Sequence, residues 1–147
     1  MEAAGILPEN LVLVDRDIQV MRYVNEHKYL STRQIYEAFW PESPERNGAG
    51  RQRLEKLEQA GYVKKYSPSG KLPMLFIVRK NCIETLKEKG WDYEFKELNE
   101  VDESMVEHNL KLFHIRKIFE AMGVKEWITE RVFRSQETTR LWFPDAV

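Results

Sequence analysis

The chain has 147 residues, of which 42% are hydrophobic and 32% charged, and its formal net charge is −1. This length and composition suit one ordinary domain, or a small domain with part of another, and they exclude wholesale disorder. A single cysteine, Cys82, excludes an internal disulfide, and no apolar run approaches the roughly 20 residues that span a bilayer. We therefore expect a cytoplasmic protein that is not inserted in a membrane.

The first part of the chain carries signals for two helices joined by a short extended link. Asp15 is a suitable N-cap for a first helix, DRDIQVMRYVNEHK, which has an apolar face. Tyr29 and Leu30 form the link, and Ser31 or Thr32 caps a second helix, RQIYEAFW. The pattern predicts two helices that pack on a common core.

Residues 50–78 predict a third helix that runs into a β-hairpin. Leu54, Leu57 and Ala60 recur every three residues, and Gly61 supplies the left-handed conformation that ends a helix. YVKKY then has strand-like alternation, SPSGKL is a turn cluster, and MLFIV is a returning strand. CIETLKEKG, capped by the preceding asparagine, predicts a further helix. The expected order is helix, strand, helix, helix, strand, strand, helix.

Basic residues are concentrated in the same region. Residues 50–80 contain eight basic and two acidic side chains, so the remainder of the chain carries about −7. Such a basic stripe neutralises phosphates and gains affinity by counterion release, although charge runs also occur on ordinary solvated helices and hairpins. We predict DNA contacts from Arg46, Asn47, Arg51, Gln52, Arg53, Lys56, Lys64, Lys65 and Lys71.

The predicted roles differ along the stripe. Arg51 and Gln52 lie near the start of the third helix and suit base or phosphate contacts, whereas Lys56 suits a phosphate. Lys71, at the hairpin tip, suits the minor groove or the flanking backbone. Arg53 is also a candidate for base or phosphate contacts. Alternatively, its side chain pairs with Glu37 or another acid. The glycines before the helix either allow a phosphate to approach or are ordinary turn residues.

The order of elements, with STRQIYEAF followed by RQRLEKLEQAGYVKKY, resembles the winged-helix domain of bacterial and archaeal regulators in the broad MarR-like group. The resemblance implies an α+β fold, a winged helix-turn-helix DNA-binding domain over residues 11–90. Two copies would contact two half-sites about one helical turn apart, so a homodimer is the expected partner alongside double-stranded DNA.

Residues 91–102 are polar and acidic and predict a connector. From residue 104 the pattern SMVEHNLKLFHIRKIFEAMG predicts a long helix, and WITERVFRS and TRLWFPDAV predict two strands. We expect residues 103–147 to be an α/β segment whose helix supports dimerisation or continues an incomplete second domain. Its predicted apolar face comprises Met105, Leu112, Ile115, Phe119 and Met122, widened by Val106, Phe113 and Ile118.

With the second half added, the chain is similar to the replication-relaxation protein family. The resemblance rests on the winged-helix pattern, His108 and Leu110 in the long helix, the WITER segment and the final PDAV. That family is associated with plasmids and mobile elements. It implies sequence-specific DNA binding in transcription regulation or replication control, and it implies further strands after PDA.

An enzymatic function is not expected. A strand that ends in Pro-Asp is typical of metal-dependent nucleases, with Asp145 as ligand and Glu107 or Glu130 as a second carboxylate, but the required lysine is missing. His108 and His114 are six residues apart, whereas ligands on one helix are usually three or four apart, so no metal and no cofactor is predicted.

Two alternatives remain at the level of sequence. The first is a winged helix that serves as a protein-interaction module, and the second is the DNA-targeting half of a nuclease-like replication factor. The geometry of the basic side chains distinguishes the protein-interaction module from a DNA-binding domain, because DNA binding requires these side chains to meet on one surface. The side chains in question are Arg51, Arg53, Lys64, Lys65 and Lys71.

Overall fold

A computed structural model describes residues 11–42, 48–91, 98, 100–129 and 131–132. In these ranges the chain is mixed α+β, as predicted, and the order of elements expected for residues 11–90 is confirmed. No helix in these ranges has the length and apolar character needed to cross a membrane. The elements are α1 (Asp15–Glu26), β1 (Leu30–Ser31), α2 (Thr32–Phe39), α3 (Ala49–Gln59), β2 (Val63–Tyr66), β3 (Leu75–Val78), α4 (Lys80–Glu88), a 3₁₀ turn (Glu103–Met105) and α5 (Val106–Ala121).

The first two helices are fixed at their starts by side-chain caps. In α2, the Ser31 hydroxyl accepts a hydrogen bond from the Gln34 amide at 3.1 Å, and the Gln34 side chain returns one to the Ser31 amide at 3.2 Å. The prediction of a cap at this position is confirmed for Ser31. The predicted cap of α1 was wrong, because Val14 occupies the N-cap position and its amide donates to the Asp17 carboxylate at 2.9 Å. The predicted cap of α4, Asn81, was also wrong, because Arg79 occupies that N-cap position.

The sheet is antiparallel with strand order β1-β3-β2, so β3 lies in the centre. Side chains alternate across a strand, and both faces of β3 are buried. Phe76 and Val78 pack into the core formed by the helices. Leu75 and Ile77 face the other way, into a second cluster that contains Val101 from the connector. Strand β3 is therefore covered on both faces.

Helix α5 returns to the first half of the chain. Its buried residues are Val106, Phe113 and Arg116, and the Phe113 ring packs edge-on against Tyr23 of α1 with centroids 6.0 Å apart. Much of the predicted apolar face is not covered by the rest of the chain, since Met122 is 73% exposed. The helix instead buries a face that contains an arginine. The other exposed members of the predicted face are Met105, Ile115, Ile118 and Phe119.

Arg116 is the centre of a buried polar network that joins α5 to α1. Its guanidinium donates to Glu26 at 2.9 Å and to Glu120 at 3.0 Å, and the Tyr23 hydroxyl donates to Glu120 at 2.8 Å. It also lies 3.2 Å from His27 Nε2. Burial, with a smaller effect from the Arg116 charge, lowers the pKa of His27 to about 3. The neutral ring then accepts this hydrogen bond at Nε2.

The strand predicted for WITERVFRS was wrong over its described part. Thr129 forms only an isolated bridge, and Arg131 and Val132 are helical. The Thr129 hydroxyl accepts from the Val132 amide at 3.3 Å, which is the geometry of a helix cap, and it donates to the Glu26 carbonyl at 2.8 Å. The predicted strand TRLWFPDAV, with Asp145, lies outside the described residues, as does Glu130.

Candidate nucleic-acid interface

Helix α3 is held by its inner face and by the close approach of one glycine. Leu54 is 1% exposed and Leu57 is fully buried. A Cβ on Gly50 would lie 2.9 Å from Tyr36 Cδ1 and 3.0 Å from Trp40 Cε3. Gly50 therefore permits the close contact with the aromatic rings of Tyr36 and Trp40, and it lies within α3 rather than in a turn. As predicted, the helix is followed by a left-handed glycine, residue 61, with φ of +86°.

We expect the substitution Gly50→Ala to lower the free energy of unfolding by about 1–3 kcal/mol, although alanine is the better helix former, because the rings of Tyr36 and Trp40 must shift. Urea unfolding measures the change. In a Trp40→Leu background the crowding is reduced, so the same substitution should cost less. An unchanged cost in that background would contradict steric crowding by Trp40.

Arg53 is directed inward and is engaged within the chain. Its Nε donates to Asp17 Oδ1 at 2.9 Å, and its Nη2 binds Asp17 Oδ2 and the Val12 carbonyl. Asp17 is fully buried, whereas the Arg53 side chain is 23% exposed. The hydrogen bonds to Asp17 raise the pKa of Arg53. The alternative expected from the sequence, an acidic partner for Arg53, is therefore confirmed, and the partner is Asp17. Glu37 instead pairs with Arg33.

The outer face of α3 carries the candidates that remain accessible. Arg51, Gln52 and Lys56 are all exposed. The Arg51 guanidinium lies 3.2 Å from Glu55, in a pair whose side chains are 50% and 40% exposed. Lys56 forms no ion pair with any residue in the described ranges. Two cations and an amide therefore face solvent near the start of α3.

The two lysines of the hairpin project from opposite faces of β2. Lys65 lies on the side of α3, where its Nζ is 4.0 Å from Glu58. Lys64 follows the alternation and lies on the same side as Tyr66, which packs against the connector cluster. Only Lys65 therefore shares a side with α3.

The hairpin tip is bound by a residue that the sequence did not indicate. Glu103 accepts hydrogen bonds from the Ser69 amide at 3.1 Å, the Ser69 hydroxyl at 2.6 Å and the Tyr66 hydroxyl at 3.1 Å. The bonds from Ser69 lower the pKa of Glu103. Lys71, in the same turn, is exposed. A carboxylate from the 3₁₀ turn before α5 thus fixes the turn that presents Lys71.

The five basic side chains proposed as the discriminating feature do not all meet on one surface, so the complete basic stripe expected from the sequence no longer supports DNA binding. Arg51, Lys65 and Lys71 remain available, whereas Arg53 is directed toward Asp17 and Lys64 toward the connector. The predicted candidates Arg46 and Asn47 lie outside the described residues.

A cleft of about 340 Å³ opens beside the start of α3. It lies between the N-terminal end of α1, the residue after α2 and the first two turns of α3. Arg16, from α1, lines it but was not selected from the sequence, because nothing in the local pattern sets that residue apart. Gln52, Arg53 and Lys56 contribute from α3.

Other polar residues of the described ranges offer little reactive chemistry. No three histidine, cysteine, aspartate or glutamate side chains among them are grouped as metal ligands would be. Cys82 is fully buried, and burial raises the pKa of its thiol. The chain matches no protein-family model, no curated protein and no solved structure.

Proposed function

We propose that residues 11–90 form a winged-helix domain that binds double-stranded DNA in a sequence-specific manner. In this proposal α3 is the recognition helix and the β2-β3 hairpin is the wing. The observation that carries it is the seating of α3, whose apolar side is buried while Arg51, Gln52 and Lys56 face solvent. The resemblance to the replication-relaxation family favours a role in transcription regulation or in plasmid or mobile-element replication control.

Each contact in this proposal follows from side-chain chemistry. Gln52 and Arg51 are near the N-terminal end of α3, from which base edges in the major groove are read. Lys56 lies one turn further and suits a backbone phosphate. Lys71 at the tip and Lys65 on the α3 side of the hairpin suit the flanking backbone. Arg53 is omitted because Asp17 binds its guanidinium.

The intramolecular ion pairs on this surface do not oppose the proposal. Arg51 pairs with Glu55, and Lys65 with Glu58, through largely exposed side chains. Exposed pairs of this kind contribute about 0–1 kcal/mol. A DNA phosphate therefore exchanges readily for either glutamate. Adding salt weakens such pairs as well as the protein–DNA contacts.

The test is fluorescence-anisotropy binding to a mixed-sequence duplex as salt is raised from about 50 to about 200 mM, where several phosphate contacts cost orders of magnitude in affinity. Lys56→Ala and Lys71→Ala should each weaken binding to every duplex and reduce the salt slope by about 1. Arg51→Ala should instead reduce the preference among duplexes. Lys111→Ala, an exposed lysine on α5, is the control and should leave binding unchanged.

Absence of binding at low salt would contradict this function and favour a protein-interaction module. The specific observation in favour of that second candidate is the apolar surface of α5, where Ile118 is 49% and Met122 is 73% exposed. A second copy of the chain is one partner that such a surface suits. Sedimentation of the wild type and of Met122→Glu distinguishes a dimer from a monomer.

A further inference from the structure

The cleft beside α3 brings together charged groups from two helices that are distant in the sequence. Arg16 comes from the first turn of α1, and Arg53 and Lys56 come from α3. The Arg16 guanidinium lies 5.2 Å from the centroid of the Trp40 ring, which restrains it at the edge of the cleft. Three cations therefore surround a space of about 340 Å³.

The negative charges near the cleft are already matched. Asp17 is the carboxylate in its lining, and it accepts both hydrogen bonds of the Arg53 fork. Glu42 lies 3.0 Å from Arg16, in a pair whose side chains are 43% and 56% exposed. Because that pair is exposed, it is weak and exchangeable. The cleft is consequently positive, with Lys56 and an exchangeable Arg16 on its walls.

The start of α3 adds donors that the helix itself does not use. The first backbone N–H groups of a helix have no intrahelical acceptor. The N-cap here is Gly48, which has no side chain to accept from them, and the first turn contains no acidic residue. Ala49, the first residue of α3, lines the cleft. The positive end of the helix dipole thus lies beside the same space as Arg16 and Lys56.

We propose that this cleft binds a phosphate group, held by Arg16, Lys56 and the first amides of α3, with Gln52 as a further donor. The phosphate belongs either to the DNA backbone or to a small phosphorylated molecule. The first source rests on the proposed function, and the second does not. In both, the phosphate replaces Glu42 as the partner of Arg16.

This replacement gives a test in which a substitution strengthens binding. Inorganic pyrophosphate is titrated into the protein without DNA, and the ¹⁵N–¹H signals of Ala49 and Gly50 are followed. Glu42→Gln frees Arg16 and should tighten pyrophosphate binding about two- to fivefold. Arg16→Gln and Lys56→Gln each remove a charged donor and should weaken it about tenfold.

Glu37→Gln is the matched control, because Glu37 also pairs with an arginine, Arg33, at 2.9 Å, and its side chain is 55% exposed, but it does not line the cleft. It should leave pyrophosphate affinity unchanged. Unaltered amide spectra away from the cleft establish that each variant is folded. Absence of saturable shifts at Ala49 and Gly50, or a pyrophosphate affinity of Arg16→Gln and Lys56→Gln equal to that of the wild type, would overturn the site.

A duplex then separates the two sources of phosphate. If pyrophosphate displaces DNA and Glu42→Gln also tightens DNA binding, the cleft receives a backbone phosphate. If pyrophosphate and DNA bind together, or if DNA does not bind while pyrophosphate does, the cleft receives a small phosphorylated molecule. Pyrophosphate binding without any DNA binding would also reject the proposed DNA binding, and it would leave the proposal of a phosphate site intact.

Discussion

Replacing Arg53 by methionine should lower the free energy of unfolding by about 3 kcal/mol. The substitution leaves the fully buried carboxylate of Asp17 with the Val14 amide as its remaining hydrogen-bond donor among the described contacts. Removing one partner of a buried ion pair typically costs about 3–5 kcal/mol, and the partial exposure of Arg53 favours the lower end. Urea unfolding monitored by tryptophan fluorescence measures the loss.

Arg51→Met is the matched control on the same helix. Arg51 also pairs with a carboxylate, Glu55, but both side chains are largely exposed, so the loss should stay below about 1 kcal/mol. The double variant Asp17→Asn with Arg53→Met should lose less than the sum of the single losses, because the two substitutions together leave no unmatched charge. Similar losses for Arg51→Met and Arg53→Met would contradict a structural role for Arg53.

This comparison also separates structure from recognition. A side chain that contacts only DNA changes the affinity without changing the stability of the free protein. For Arg53 we expect the reverse, which is a lower stability of the free protein when the side chain is replaced. The sequence placed Arg53 among the DNA contacts because it shares the start of α3 with Arg51 and Gln52, and its partner is 36 positions away.

The elements that were predicted correctly are those specified by local chemistry. Ser31 and Gln34 form their capping box within one helical turn, and Gly61 ends α3 by its own conformational freedom. The hairpin follows from strand-forming residues on both sides of a turn cluster. None of these signals requires knowledge of any distant residue, so they are legible in the sequence.

The features that were missed depend on distant partners. Glu103 reaches Ser69 across 34 positions, and nothing near Glu103 marks it as a residue that binds a turn. The apolar residues of α5 were assigned to dimerisation or to a second domain, and the contact of this helix with α1 through Arg116 was not predicted. Arg116 contacts Glu26 across 90 positions. A periodicity of apolar residues alone cannot identify a helix face that is buried through an ion pair.

The candidate site likewise has parts that local signals in the sequence indicate and parts that depend on distant residues. Lys56 and Lys71 were recognised because they are basic and lie on predicted exposed positions. The cleft was not, since its wall from α1 is separated from α3 by more than 30 positions in the sequence and becomes adjacent only when Gly50 seats α3 against α2. The place of Arg16 in the lining of the cleft is therefore a result of tertiary packing and could not be read from the local sequence.

Arg116→Met should have the largest effect on stability, a loss of about 3–5 kcal/mol in the free energy of unfolding. Arg116 is 2% exposed, and so is Glu26, which would retain Arg22 but lose its fully buried partner. Since domains of this kind are stable by about 5–15 kcal/mol, the variant should be partly unfolded in moderate urea. Equilibrium urea unfolding by circular dichroism measures the shift.

The adjacent cation provides the control. Lys117 lies 3.1 Å from Glu120, but its side chain is 39% exposed, so Lys117→Met should cost less than about 1 kcal/mol. The double variant Glu26→Gln with Arg116→Met removes both charges, and it should be more stable than the sum of the single losses predicts. Additive losses would show that Arg116 contributes mainly by packing. A coupling of 1 kcal/mol or more, on the order expected for contacting buried charges, would instead establish the ion pair as the connection that orients α5 on α1.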